Sequence, residues 1–491
     1  MIYTLEGHAL KHAVEEMLFH LLPTAALARA DAVDAADGTG DYCRSVLTEV
    51  DGRARACADV RIGGVTRRSE RCASVQGLAP LAYKRTVTEL VKTTVYEAVV
   101  PSLAQPPVWG SLTGVRPAKL ARGLIERGMA RGEVAEYLRE HFHVSPERTA
   151  LTIRAAATAI EMDKRMGEKD ISLYVGIPFC PSRCYYCSFV SSATAQSGHL
   201  IEPYLETLCH EIRETAALVR EAGRRVQSVY IGGGTPTTLD ENQLSRLLDT
   251  LEQSFDFSGL CEYTVEAGRP DTITPGKLRV LRAAGVGRVS INPQSMDDAV
   301  LAAIGRRHVA CDVLRAYAEA RRAGFAGINM DVIAGLSGDT PDSFARTVDT
   351  LIGLAPENIT VHTLAIKRGA DLTDKQAAAA QREAVARMLD GASRALQGAG
   401  YGPYYLYRQK FTTGGFENVG WCRPGTECFY NVAMMEELQT ILSLGAGGVS
   451  KRVERDTGWI ERTNNPKYPL EYIRAADRLA GGKRKLLFPK Q

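Results

Sequence analysis

The sequence predicts an α/β fold: six βα units forming an open, partial (β/α)6 TIM-like barrel, flanked by an N-terminal α+β domain and a C-terminal domain. Three observations carry this expectation. From about residue 170, short β-rich apolar runs alternate with amphipathic helical stretches, the pattern of βα units and a parallel sheet. The runs number six, at 171–177, Val226–Ile231, Glu262–Val265, Arg288–Ile291, Ile328–Ile333 and Ile359–Leu364, whereas a closed barrel of this kind has eight. Polar residues then cluster at the C-terminal ends of these runs, the edge at which parallel sheets bind ligands. The open side can admit a large substrate.

Taken in order, residues 1–165 predict an α+β domain with a strand at 2–5, a helix from His12 to Leu22, strands near 43–50 and 56–63, and a helix near 85–100. Pro101 and the turn-rich stretch Pro106–Pro117 break helix and strand alike, which predicts a linker or docking loop. Helices near 117–140 and 146–166 lead into the barrel, 166–374. Its helices are expected near 201–224, 240–255, 275–284, 297–323 with a break, and 341–354. Beyond about 375 the alternation stops. Residues 375–491 predict a third domain, with a helix from Lys375 to Gln397, an aromatic run from Tyr401 to Lys410 and a basic tail, Gly481–Lys485.

The 491 residues carry a formal net charge of +3 with 24% charged residues, no basic field of the kind that marks nucleic-acid binding. Eleven cysteines are too sparse for a disulfide scaffold in so long a chain, and three of them cluster in one run, as suits a reducing compartment. The N-terminus lacks the features of a signal peptide, and no apolar run approaches the roughly 18 residues of a membrane span. A cytoplasmic monomer without membrane insertion is expected.

The cysteine run is Tyr174-Val-Gly-Ile-Pro-Phe-Cys-Pro-Ser-Arg-Cys-Tyr-Tyr-Cys-Ser-Phe189, in which Cys180, Cys184 and Cys187 are separated by three and two residues. That spacing can fold three thiolates around one face of an iron–sulfur cube. A structural [4Fe–4S] cluster normally takes four Cys thiolates, so a three-Cys set leaves one iron open to a small molecule. A zinc knuckle is the alternative, but structural zinc wants four ligands, often including His, and no His lies within ten residues.

Gly232-Gly-Gly-Thr-Pro-Thr237 follows the second run directly, where glycines let backbone amides approach a ligand. Alone, such a turn is as readily structural. Glu266 closes the third run, Gln294 follows the fourth, Arg306 lies in Gly305-Arg-Arg-His308 and Asp331 in Asn329-Met-Asp-Val-Ile-Ala-Gly-Leu-Ser-Gly338. Singly, each reads as a solvated or ion-paired loop residue. Four of them on successive strand ends point to one site.

Tyr174–Phe189, Gly232–Thr237, Val265-Glu-Ala267, Ser290-Ile-Asn-Pro-Gln-Ser295, Gly305–His308 and Asp331–Gly338 resemble the radical S-adenosylmethionine (SAM) enzymes. Among these, the chain is similar to the oxygen-independent coproporphyrinogen III oxidase (dehydrogenase) family over about 170–450. The flanking Trp109–Pro117, Phe416-Glu-Asn-Val-Gly420, Cys428-Phe-Tyr-Asn431 and Leu444–Gly447 look most like its HemZ type.

The resemblance implies a [4Fe–4S] cluster on Cys180, Cys184 and Cys187. It also implies SAM held by Gly233, Gly234, Thr235, Glu266, Gln294, Arg306 and Asp331, with Tyr174 as a catalytic residue beside the cofactor. The family reaction belongs to haem biosynthesis: a 5′-deoxyadenosyl radical abstracts hydrogen from the β-carbon of a propionate, CO2 leaves, and vinyl groups form on two rings to give protoporphyrinogen IX. An electron donor, an electron acceptor and a tetrapyrrole substrate would be the partners, and the C-terminal domain would help cover the substrate. Relatives sharing these motifs include a haem-binding chaperone and methyltransferases that open the haem ring. The best-known members have His where this chain has Gly176, and a fourth nearby Cys where it has Ser188 and Phe189, so their proton supply and substrate contacts do not transfer.

A tetrapyrrole is a flat apolar body with an anionic rim, which makes Arg183, Arg368, Arg408, Lys410, Tyr404, Tyr405 and Tyr407 the candidate substrate contacts. No auxiliary cluster is expected on Cys422 and Cys428. Cys43, Cys57, Cys72, Cys209, Cys261 and Cys311 are expected to be buried fillers. His362 ends the sixth run facing the presumed site, although a lone His is more often structural.

Overall fold

The computed structural model describes residues 1–23, 25–30, 40–187, 191–365, 375–409, 415–455 and 457–489, with only the backbone for 375–380. Its central feature is an eleven-stranded sheet. Six parallel strands, Asp170–Ile177, Arg225–Gly233, Glu262–Glu266, Arg288–Ser290, Gly327–Ala334 and Asn358–Thr363, lie side by side in chain order. These are the six predicted runs, and the predicted helices return between them. Helices Glu241–Ser254, Pro275–Ala283, Asp298–Ala303 and Pro341–Leu354 are N-capped by Asp240, Thr274, Asp297 and Thr340, whose side chains accept first-turn amides and so end each loop sharply.

The segment expected as a separate third domain supplies strands to this same sheet. Glu417–Cys422 pairs antiparallel with the sixth barrel strand, and Gly402–Arg408 pairs outside it. At the other edge, Thr440–Leu444 runs parallel to the first strand and leads into the hairpin Val449–Val453 and Ile460–Asn464. An open barrel has two edges of unpaired amides and carbonyls, and the C-terminal strands satisfy both. The expected basic tail is a helix, Leu479–Leu487, in which Lys483 is fully buried against Glu211 at 2.6 Å.

A separate five-stranded sheet forms the N-terminal unit, covered by helices Lys11–Leu21 and Pro80–Val99 over a core that includes Tyr3, Met17, Leu18, Val91 and Val95. The strand Val65–Ser74 was not predicted. It is an edge strand alternating exposed and half-buried residues, so its sequence carries no apolar face to read. The long helical stretch expected at 117–140 divides into Pro117–Glu126 and Arg131–Phe142 around Gly128, whose φ of +98° ends the first. These helices pack Ala118, Ala121, Val134 and Leu138 into the barrel's core, not into the N-terminal one.

The predicted docking loop is buried at its centre. Trp109 is 1% exposed, and its indole donates to Glu417 Oε2 at 2.7 Å. Of the cysteines expected to be fillers, Cys43, Cys57 and Cys209 are buried, but Cys72, Cys261 and Cys311 are exposed. Cys72 sits on the polar edge strand, and Cys311 lies on the helix Ala310–Arg322, whose buried face is Val313, Ala316, Tyr317 and Ala320. Among the described residues, no helix is long and apolar enough to cross a membrane.

Candidate functional site

At the C-terminal edge of the six parallel strands lies a cavity of about 550 Å³. Tyr174, Cys180, Cys184, Cys187, Gly233, Gly234, Thr235, Glu266, Gln294, Arg306 and Asp331 all line it. A larger cleft of about 1270 Å³ lies between the helices Pro80–Val99 and Pro117–Glu126 and contains none of these residues.

The glycine turn is shaped by close approach. Gly233 has φ +107°, in the left-handed region that favours glycine. A Cβ on Gly234 would lie 2.6 Å from the Phe179 carbonyl oxygen, because the turn is pressed onto the segment that opens the cysteine loop. The Thr235 amide donates to that carbonyl at 2.7 Å, and the Thr235 hydroxyl donates to the Cys180 sulfur at 3.5 Å.

Glu266 faces this turn. It accepts from the Tyr230 phenol at 2.6 Å and from the Gly233 amide at 3.2 Å. Burial pushes its carboxyl up to about 7, aided by the nearby Asp331, against the opposing pull of its hydrogen bonds and His362. Tyr174, Tyr230 and Tyr430 stack beside it, with ring centroids 6.3 Å apart for Tyr174 and Tyr230, 6.2 Å for Tyr174 and Tyr430, and 4.6 Å for Tyr230 and Tyr430. Burial holds all three phenols well above their ordinary titration range.

The later strand ends present unsatisfied polar atoms. Gln294 has φ +67°, a costly conformation for a side-chain-bearing residue, and its Oε1 is buried without a partner. Its backbone N–H donates to the Asp331 backbone carbonyl at 2.9 Å, so strain and register are tied together. Arg306, expected at a strand end, comes instead from the loop between the helices Asp298–Ala303 and Ala310–Arg322; it donates through Nη2 to the Tyr186 phenol at 2.9 Å, leaving Nε and Nη1 buried and unpartnered. Asn292 Oδ1 is likewise orphaned in this wall. Asp331 lies 3.8 Å from His362, which is 3.5 Å from the Tyr407 phenol.

Buried polar atoms without partners are costly unless a ligand pairs with them, and this wall offers acceptors and a cation to a polar, zwitterionic molecule. Among the described residues, no three His, Cys, Asp or Glu side chains are gathered closely enough to hold a single metal ion. A cluster makes a different demand, since three irons each take one thiolate. Three soft sulfurs from one loop, facing a glycine turn and orphaned polar atoms, fit an iron–sulfur cluster with SAM beside it.

The candidate substrate contacts divide. Arg183, Tyr405 and Tyr407 line the cavity. Tyr404 is 1% exposed in the core outside the cavity, where its hydroxyl accepts from Asn431. Arg408 is also displaced from the expected role: it is buried with its guanidinium 5.0 Å from the Trp109 ring centroid, donating to the Leu112 and Gly415 carbonyls. Arg368 and Lys410, like Ser188 and Phe189, lie outside the described residues. The buried Cys428 thiol donates to Glu262 at 3.3 Å.

Sequence reasoning missed Tyr230, Tyr430 and Arg269. Tyr230 sits two residues before Gly232 on an inward position of a predicted strand, a signal present but indistinguishable from core packing. Tyr430 comes from a helix distant in sequence.

An open barrel with a three-cysteine first loop, a glycine turn on the next strand and polar strand ends defines a cofactor-dependent radical enzyme scaffold, and residues 174–351 match the radical SAM superfamily. The chain is 39% identical over 74% of its length, and 74% of the other's, to the oxygen-independent coproporphyrinogen-III oxidase-like protein HemZ of Bacillus subtilis. It is 31% identical to the heme chaperone HemW of Mycobacterium tuberculosis over 64% of this chain and 76% of that one. Coproporphyrinogen III oxidase (HemN) of Escherichia coli superposes with a TM-score of 0.50 at 28% identity, covering 66% of this chain and 72% of that one. The chain therefore belongs to the radical SAM family of oxygen-independent coproporphyrinogen III oxidases and their HemZ and HemW relatives. Proteins of this family use a [4Fe–4S] cluster and SAM.

Proposed function

We propose that this protein is a coproporphyrinogen dehydrogenase, converting two propionates of coproporphyrinogen III to vinyl groups without oxygen. The single observation that carries the reading is the shared cavity: three cysteines, the glycine turn and the polar strand ends face one space beneath a wall of stacked tyrosines. When bound, the cluster and SAM supply a 5′-deoxyadenosyl radical that takes a hydrogen atom from the propionate β-carbon. The substrate then loses CO2 and passes one electron to an acceptor, so each vinyl group accounts for one hydrogen atom, one CO2 and one electron.

In this reading Cys180, Cys184 and Cys187 hold the cluster. Gly233, Gly234 and Thr235 form a turn that SAM can approach closely, their amides being engaged by Glu266, Ile177 and Phe179, while Glu266, Gln294 and Asp331 accept from SAM and Arg306 pairs with its carboxylate through its unpartnered Nε and Nη1. Tyr174, with Tyr230 and Tyr430, gives a flat apolar wall that orients a ring and keeps water from it. Arg183, on the cavity wall, offers a cation to a propionate.

A second reading, a haem-binding chaperone, is favoured by the similarity to HemW. Anaerobic incubation of reconstituted protein with SAM, reductant and coproporphyrinogen III separates the two. The proposal expects 5′-deoxyadenosine, methionine and products lighter by one and then two units of CO2 plus hydrogen. Tight haem binding with no vinyl product would overturn it in favour of the chaperone, and consumption of haem would point to ring-opening chemistry.

A further inference from the structure

Arg269 stands three residues beyond the end of the third barrel strand, and the cofactor roles proposed above make no use of it. Its side chain is 4% exposed. Nε and Nη2 donate to the two carboxylate oxygens of Asp271 at 3.0 and 3.1 Å. The rest of the guanidinium turns to the cysteine loop: Nη2 donates to the Ser182 hydroxyl at 3.1 Å, and Nη1 to the Ser182 carbonyl at 3.4 Å and the Cys184 sulfur at 3.5 Å. The same turn is tied to the glycine turn, with the Thr272 and Thr237 hydroxyls 2.6 Å apart and Lys277 Nζ donating to the Thr237 carbonyl at 2.6 Å. A buried cation is thus clamped between a carboxylate and a sulfur, in a bracket joining the cysteine loop to the cofactor turn.

We infer that Arg269 is a positioning residue that sets the reduction potential of the cluster, with Asp271 as its counterweight; this rests on Cys184 being a cluster ligand. Reduction adds one negative charge to the cluster and its thiolates. A positive charge and an N–H···S hydrogen bond at a ligand sulfur favour that added charge and raise the potential. Burial keeps solvent from screening the effect, and the bidentate grip of Asp271 fixes the fork and partly cancels its field. Arg269 therefore makes the cluster easier to reduce, and Asp271 makes it harder.

The test uses the full chain, reconstituted anaerobically, with iron counted and the potential read by redox titration followed by electron paramagnetic resonance. Arg269→Met is expected to move the potential to more negative values at full iron. Asp271→Asn is expected to move it the other way, because the cation then lacks its counter-charge. A merely structural role would not give opposite signs, so shifts in one direction, or no shift in either variant at full iron, overturn the inference. Should Arg269→Met fail to fold or to hold iron, Asp271→Asn decides alone: a raised potential supports the inference and an unmoved or lowered one overturns it. Full cluster retention in Cys184→Ala would instead remove the ligand assignment, a different failure from an unmoved potential.

Discussion

The Tyr230 phenol donates to Glu266 at 2.6 Å across neighbouring strands, on the same carboxylate that receives the Gly233 amide of the cofactor turn. One part-buried acid thereby joins the second strand, the third strand and the glycine turn, which is why its titration reports on the site.

Burial raises the folded-state carboxyl of Glu266 from 4.5 to about 7. Below about 4.5 both folded and unfolded forms are protonated, so no penalty arises; as pH climbs towards 7 the unfolded chain ionises first and folded stability falls. The cofactor-free protein is expected to lose about 1–3 kcal/mol between pH 4.5 and 7.5 that Glu266→Gln does not lose. Denaturant unfolding at several pH values checks this, and parallel curves for the two proteins would contradict it.

Iron content offers a second test. Replacing Cys180, Cys184 and Cys187 together with Ala should abolish iron binding and the brown colour of the anaerobic protein, because the thiolates are the proposed ligands. Changing Cys422 and Cys428 to Ser should leave iron unaltered, since both lie buried away from the cavity and Cys428 is engaged with Glu262.

Arg306, from the loop between the helices Asp298–Ala303 and Ala310–Arg322, and Asp331, on the strand Gly327–Ala334, both reach the cavity. Arg306→Ala and Asp331→Ala should each weaken SAM binding by roughly 1.5–3 kcal/mol, the range for a lost charge-assisted hydrogen bond, with the cluster retained. Equilibrium binding of SAM to the reconstituted variants measures it. Unchanged affinity in both would remove these residues from the cofactor site.

Lys483 and Glu211 are a buried pair 2.6 Å apart, and Glu211 also accepts from the Gly445 amide, Asn465 and Tyr472. Lys483→Met strands the carboxylate in the core and should cost about 3–5 kcal/mol. The double variant Lys483→Met with Glu211→Gln removes the unpaired charge and should recover much of that loss. A double variant no more stable than the single one would show that shape, not charge, governs this contact.

The sequence by itself determined the six βα units, because each strand's apolar run and each helix's amphipathic stripe are local patterns that burial imposes on neighbouring residues. It also marked the cysteine loop, the glycine turn, Glu266, Gln294 and Asp331, since a parallel barrel sends its strand ends to one edge, whereas Arg306 reaches the same cavity from a loop between helices. Tertiary structure alone decided the pairings that cross the chain. Trp109 meets Glu417 across 308 residues and Lys483 meets Glu211 across 272, distances over which no periodicity carries information. For the same reason Arg408 looked like a substrate contact and proved to be a brace on the Trp109 segment, while Arg269, which no sequence pattern marks, donates to the Cys184 sulfur. A charged side chain's role depends on which distant carbonyl, carboxylate or sulfur folding brings to it, and only the assembled sheet specifies that.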